Sequence, residues 1–418
     1  MTARGLKNDC FALPAGVDWT PVDEALDDLR RRLHGVTDVE TCAAATAAGR
    51  ILAEPVAARR AHPPFSNSAV DGYGFALLDD HTGQVSMALS AGRAAAGSPF
   101  EGVLPAGQAV RILTGAQVPL GVDTIVLEED VDLENGRVEF AAGLKRGANV
   151  RPKGEDVAKG DTILPAGRVL GPQDLALMAS VGVQDINVFK RLRVGVLSTG
   201  DEIAAVGQDV SVARIYDANR PMLLAMIKKW GGVAVDLGRV DDSRDATRVK
   251  LNAAHDVVDV LITTGGASAG DEDHLSAILR TEGQLHSWRI ALKPGRPLAL
   301  GQWNRLPVFG LPGNPVAAFI CALIFVRPAL FRLGGADWIE AAGFDVPAAF
   351  SKVKKPGRRE YLRARLDVSG CAQVFASEGS GRVSGISWAD GLVELGDKAR
   401  TVSPGDRVRY FPYAGFGL

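Results

Sequence analysis

The sequence predicts a multidomain α/β protein whose central domain is a parallel sheet covered by helices. Three observations carry that prediction. From residue 191 onward, apolar β-like runs alternate with amphipathic helical stretches. Across residues 61–149, Gly and Pro recur every few positions between short β-like runs. After residue 335, Pro-Gly punctuation and short strands return. At 418 residues the chain is too long for one ordinary domain, and two to four are expected. The boundaries follow the texture: a helical framework from residues 16–60 and 150–190, an inserted β-rich domain at 61–149, an α/β domain at 191–335, and a C-terminal β domain at 336–418.

Each element has a local reason. Thr20-Pro21-Val22-Asp23 reads as a helix start, with Thr as cap, Pro in the first turn and Asp at the positive end of the dipole. That helix is expected to stop at Gly35, and an Ala-rich helix to cover residues 40–48. Strands are expected at 110–113 and 124–127, and a helix at 172–180. In the α/β domain, strands are expected at 193–197, 233–237, 260–263 and 307–309. Asn219 reads as the cap of a helix whose Met222, Leu223, Met226, Ile227 and Trp230 share one face. Asp242 or Ser243 caps the next helix, and Asn314, followed by Pro315, caps the last. Two further short strands are expected at 361–366 and 407–410.

Composition narrows the function classes. A net charge of -2 gives no global basic field for nucleic acid. The basic runs at 30–32 and 352–359 read as solvated faces. Cys10, Cys42, Cys321 and Cys371 are scattered singly, which fits a reducing cytosol rather than a zinc site or disulfide framework. The apolar stretch 316–326 is far short of the ~20 residues a bilayer requires and reads as a buried core helix. A soluble, cytoplasmic protein is expected.

Ligands of open parallel sheets bind at the carboxyl ends of the strands. That edge offers Ser198-Thr199-Gly200-Asp201-Glu202, then Asp241-Asp242, then Gly265-Gly266-Ala267-Ser268 with Asp271-Glu272-Asp273, and then Gly310-Leu311-Pro312-Gly313-Asn314. Gly turns and helix N-termini suit an anion. Glu202, Asp242 and Asp273 come from three turns and would repel both one another and a phosphate. Mg²⁺ resolves the conflict, since it binds through one or two carboxylates plus substrate phosphates. Lys293 and Arg296, in Lys293-Pro294-Gly295-Arg296-Pro297, suit a second oxyanion. No G-x-S-x-G elbow, P-loop or Ser/His/Asp set competes.

These segments resemble, in order and over nearly the whole chain, the MoeA-type molybdopterin molybdenumtransferases, the family that includes the gephyrin E domain. The blocks are His62 through Tyr73, Arg111-Ile112-Leu113-Thr114-Gly115-Ala116, Arg151-Pro152-Lys153-Gly154-Glu155-Asp156, Ser198 through Glu202, Tyr216-Asp217-Ala218-Asn219-Arg220, Gly265 through Asp273, Lys293 through Pro297, and Leu311-Pro312-Gly313-Asn314-Pro315. The resemblance implies a MogA-like molybdopterin-binding domain. It implies a Mg²⁺-dependent reaction in which adenylylated molybdopterin and molybdate give molybdenum cofactor and AMP. By position, Gly265, Gly266, Ser268, Pro312 and Asn314 would hold the substrate, with Asp273 at its phosphates and Glu202 and Asp242 nearby. Lys293, Arg296, Arg363 and Ser380 would hold molybdate. Asp71, Thr114 and Asp156 would face the cleft across a homodimer. A molybdopterin adenylyltransferase upstream and molybdenum-cofactor acceptor proteins downstream are the implied partners, with neither nucleic acid nor membrane. The Asp71 and Asp156 blocks separate the chain from the single-domain adenylyltransferases, which resemble residues 191–335 only. It departs from the family in reading Lys-Pro-Gly-Arg where Lys-Pro-Gly-Lys is common.

Overall fold

A computed structural model describes residues 19–78, 83–208, 213–265, 274–295 and 297–418. The chain is a multidomain α/β protein that divides into two compact units. One comprises residues 1–40, 49–53 and 188–418, and the other residues 41–48 and 54–187.

The larger unit carries the α/β sheet. Its strands are β1 (Arg193–Thr199), β2 (Val233–Val240), β3 (Val260–Thr264), β4 (Gln284–Arg289), β5 (Pro297–Trp303) and β6 (Leu306–Leu311). In space the order is β2-β1-β3-β6-β5-β4. Strands β2, β1, β3 and β6 run parallel, as the alternation predicts. Strands β4 and β5 form an antiparallel hairpin edge that the sequence reading lacks. Helices α1 (Asn219–Lys229), α2 (Arg244–His255) and α3 (His274–Thr281) return the chain between strands. Because β1 is flanked by β2 on one side and β3 on the other, the strand order reverses beside it. The crevice at such a reversal is where open sheets bind ligands.

After β6 comes a 19-residue helix, Pro315–Leu333, 83% buried. As far as Val326 it is apolar all round because the core surrounds it, with Val316, Ala318, Phe319, Ile320, Phe325 and Val326 buried. Its middle turn, Ala322–Val326, is wound as a π-helix just before Pro328, which has no N–H to give. By length and composition this helix alone, among the described residues, is long and apolar enough to cross a membrane.

The unit also holds a second sheet, ordered Leu292–Lys293, Arg359–Leu366, Gly391–Leu395, Arg407–Pro412 and Phe344–Pro347. Lys293 therefore stands on a two-residue strand, in parallel register with Glu360, rather than in a free loop. The smaller unit is built on a six-stranded sheet, ordered Thr124–Leu127, Gly72–Phe75, Gln108–Ile112, Gln84–Ala94, Arg137–Ala141 and Asp132–Glu134. Its core centres on Phe75 and Phe140, whose ring centroids are 5.0 Å apart.

Four expectations need correction. Thr20 does not cap the first helix, Val22–Arg32; its backbone instead bridges to Ile290, its N–H donating to Arg289 O at 3.0 Å. Residues 40–48 form no α-helix but a strand, Val39–Ala43, and one 3₁₀ turn. A short segment gains little from Ala propensity, and Thr41 Oγ1 instead donates to Asn187 Oδ1 at 2.8 Å. Asn219 lies inside α1, and Asp217 takes the capping part by accepting the Arg220 N–H at 3.0 Å. The basic run 352–359 is not a solvated face. Lys354 is almost fully buried, with its ammonium donating to Lys355 O and Lys398 O, and Arg359 is clamped by Asp23 through two bonds of 2.7 Å. Strand alternation turns these side chains inward, where partners satisfy their charges.

Candidate active site

The carboxyl ends of β1, β3 and β6 meet in a floor built from backbone. Thr199 Oγ1 donates to Thr264 O at 3.4 Å, and the Gly265 N–H donates to Leu311 O at 3.3 Å. Gly265 has φ +88°, and a Cβ there would sit 2.5 Å from Thr199 O, so the turn admits only glycine. A Cβ on Gly313 would lie 3.6 Å from Gly265 Cα, which places the third turn against the second. Asn219 locks this floor from behind: its Nδ2 donates to both Thr264 Oγ1 and Gly313 O at 2.8 Å. Ser198 Oγ donates to Asp217 Oδ2 at 2.5 Å. Ser198, Asp217, Asn219, Thr263 and Thr264 are all buried, so a polar network sits where a core would be apolar.

An acidic rim borders the floor. Asp242 Oδ2 accepts the Asp201 N–H at 3.4 Å, and Asp201 Oδ1 accepts the Asp242 N–H at 3.2 Å. These reciprocal bonds draw the β2 turn onto the β1 turn, so Asp242 lies beside Asp201-Glu202. Ser243, rather than Asp242, caps α2, accepting the Ala246 N–H at 3.5 Å. Arg239 ties the rim down through Asp241 and the Gly200 carbonyl. Among the described residues no cluster of three or more carboxylates, histidines or cysteines is assembled. Gly266, Ser268, Asp273 and Arg296 lie outside the described residues.

On the other side lies a cavity of about 170 Å³, lined by Lys293, Lys352, Tyr361, Arg363 and Glu378 among others. Lys293 Nζ is 2.7 Å from Glu378 Oε2 and 3.6 Å from Glu360 Oε1. Lys352 Nζ is 3.1 Å from Glu360 Oε2 and pairs with Glu378 Oε1. Burial works against the Glu378 carboxylate, but the bonds from Lys293 and Lys352 outweigh it and hold its pKa below the ordinary value. Arg363 is buried, its guanidinium 5.0 Å over the Phe375 ring. It donates to the carbonyls of Ser377, Gly379 and Arg382 and so shapes the 377–382 loop. The Ser380 carbonyl accepts the Val316 N–H at 3.3 Å, which fastens that loop to the N-terminus of the long helix, beside Asn314. Pro312 is buried in the same turn, and the Asn314 Oδ1 is buried with no partner.

The smaller unit holds a second polar cluster. Asp71 Oδ1 accepts from the Thr114 N–H at 2.6 Å and from Thr114 Oγ1 at 2.7 Å. These two bonds, first the backbone and then the side chain, keep the Asp71 pKa below its ordinary value. Arg111 stacks 5.0 Å over the Tyr73 ring and pairs with Glu128. Asp156 is exposed, and its N–H donates to His62 O at 3.1 Å, which joins its loop to the one preceding Asp71.

Comparison with known families shows where the chain belongs. Residues 20–182 match the MoeA N-terminal region (domain I and II), residues 195–332 the probable molybdopterin binding domain, and residues 345–413 the MoeA C-terminal region (domain IV). The chain belongs to the MoeA family. A molybdopterin molybdenumtransferase of Haemophilus influenzae is 35% identical over 94% of this chain and 98% of its own length. One from Nostoc is 32% identical over 88% and 87%. The crystal structure of a molybdopterin biosynthesis MoeA protein from Pyrococcus horikosii superposes with a TM-score of 0.76, covering 95% of this chain and 99% of the other at 28% identity. The curated MoeA relatives are transferases by name.

Within this MoeA chain the structure joins some of the expected residues and not others. Gly265, Pro312 and Asn314 line adjoining turns, Asp242 meets the Glu202 turn, and Asp71 meets Thr114. Lys293 and Arg363 share one cavity, and Ser380 lies on the loop that Arg363 holds. Sequence reasoning missed Lys352, Glu360 and Glu378 as neighbours of Lys293, and Asn219 as the lock of the floor. The only sequence signal for the first group was the basic run itself, which its charge alone made look solvent-facing.

Proposed function

We propose that this chain is a molybdopterin molybdenumtransferase that takes adenylylated molybdopterin and molybdate and releases molybdenum cofactor and AMP in a Mg²⁺-dependent step. The observation that carries the reading is the floor of Thr199, Gly265 and Gly313. It has carboxylates on one flank, and the 377–382 loop, whose Glu378 pairs with Lys293, is fastened to the helix beside it. A phosphoanhydride suits that floor, because Gly turns and helix N-termini at the carboxyl edge of a parallel sheet favour an anion. Glu202 and Asp242, with Asp273, would hold Mg²⁺. They are all-oxygen, hard donors on a rim that a substrate phosphate would complete, which is the donor set the ion prefers. The chemistry that ion supplies when bound is charge neutralisation across the anhydride. Gly266 and Ser268 belong to the same substrate turn. Lys293 and Arg296, with Arg363 and Ser380, receive molybdate, and the buried lysine offers its charge where water competes little.

Asp71, Thr114 and Asp156 complete the site from a second copy of the chain, so the working form is a homodimer. The two bonds from Thr114 favour the Asp71 carboxylate and fix its direction, which suits it to orient a cationic or hydroxyl group of substrate. An adenylyltransferase supplies the substrate, acceptor enzymes take the product, and the setting is cytoplasmic. The test is incubation of the purified chain with adenylylated molybdopterin, Mg²⁺ and molybdate. AMP release that requires molybdate, with active cofactor formed, is the expected result. Net adenylylation of molybdopterin from ATP, without molybdate-dependent AMP release, would overturn the reading.

A further inference from the structure

The cavity beside Arg363 contains a closed ring of charges: Lys293, Glu378, Lys352 and Glu360, with each ammonium between two carboxylates. Three of the four side chains are nearly enclosed, at 14% exposure for Lys293, 11% for Lys352 and 10% for Glu360. Glu378 is the exception at 43%. Glu360 stands on the strand Arg359–Leu366 and is held in register with Lys293. Glu378 stands on a loop whose backbone Arg363 grips at residues on either side, Ser377 and Gly379. Glu378 is therefore both the most exposed member of the ring and the one that stands on a loop rather than a strand. In the present arrangement its two oxygens bridge the two ammonium groups, one oxygen to each. Two oxygens of a tetrahedral dianion would make the same bridge.

We propose that Lys352 is a second ammonium of the oxyanion site and that Glu378 is its built-in competitor, occupying the bridge between Lys293 and Lys352 until a tetrahedral dianion displaces it. This rests on the reading of Lys293 as a molybdate ligand. With Glu378 in place the ring is neutral and the two lysines are satisfied, so the empty site carries no unpaired buried charge. With Glu378 swung out, one net positive charge faces the cavity beside Arg363, and the dianion binds there. The exchange makes affinity moderate and release possible. It also selects for a dianion, since a monoanion replaces the carboxylate with no gain in charge.

The test uses the full chain and molybdate itself. Calorimetric titration of Glu378→Gln should show molybdate binding about tenfold tighter than in the unaltered chain, and Lys352→Gln about tenfold weaker, each the size of one charge-assisted contact. Amine acylation read by mass spectrometry should show molybdate protecting Lys293 and Lys352 together. This second readout needs no variant, so it stands even where Lys352→Gln fails to fold. Protection of Lys293 alone, with Glu378→Gln no tighter, would overturn the proposal and leave the molybdate site standing. Protection of neither lysine, in a chain whose AMP release still requires molybdate, would overturn both.

Discussion

The floor at Thr199, Gly265 and Gly313 contains no formal charge, whereas the cavity around Lys293 contains two ammonium and two carboxylate groups beside a guanidinium. Both belong to the same compact unit, and in the proposed function both receive an anion. The floor is held by hydrogen bonds alone: the Gly265 N–H is bound to Leu311 O and the Gly313 carbonyl to Asn219, so its shape is set without an ion pair. The cavity offers full charges that cannot remain buried alone, so each is already paired. The difference teaches that one place is shaped by hydrogen bonds alone, while the other, as folded, is already filled by its own carboxylates.

The largest effect that would break this contrast lies in the floor. Gly265→Ala forces a Cβ to within 2.5 Å of Thr199 O at φ +88°, and should cost about 2–3 kcal/mol of stability. Denaturant unfolding measures it, and an unchanged midpoint would mean the floor yields and is not preformed. Asn219→Ala comes next. It removes two 2.8 Å bonds and leaves Thr264 and the Gly313 carbonyl without that partner, a loss of about 2 kcal/mol by the same measurement. If stability holds but substrate binding falls, the lock is for geometry rather than for folding.

Lys293→Ala should raise the molybdate needed for half-maximal AMP release by about tenfold, with nucleotide binding little changed. Equal losses in both would merge the two sites that the comparison separates. The smallest effect is in acid. The Glu378 pKa is lowered in the folded chain, so its contribution is present above the ordinary carboxylate pKa and is lost as pH falls through the lowered value. Hydrogen exchange in the 377–382 loop should therefore quicken only below the ordinary carboxylate range, and Glu378→Gln should remove that dependence. Exchange that stays slow in acid would show that Arg363, rather than the ring, controls the loop.

Much of the floor was legible because local patterns dictate it. A glycine at positive φ after an apolar strand, and a Pro in the first turn of a helix, need only a few neighbouring residues to be recognised. The hairpin of β4 and β5 was hidden because its strands flank the Lys293 turn and carry no Gly-Asn or Asp-Gly signal. The strand at Val39–Ala43 was hidden because Ala content suggested a helix, and pairing to a partner more than 140 residues away decided otherwise. Asn219 was read as a cap because Asn before a helical pattern usually is one; its contacts with Thr264 and Gly313 required three turns to converge.

By itself, then, the sequence determined the alternation of strands and helices, the turns at the carboxyl edge of the sheet, and the residue blocks that mark the MoeA family. Those depend on short-range periodicity, turn chemistry and residue order. Only the tertiary structure decided that Lys293 is bracketed by Glu360 and Glu378, that Lys352 turns inward, and that Arg363 spends its guanidinium on a loop. A charged side chain is at home in water and tolerates burial only beside an opposite charge or other partners. Which of the two it adopts depends on whether a distant segment brings the opposite charge within a few ångströms, and no local pattern records that distance.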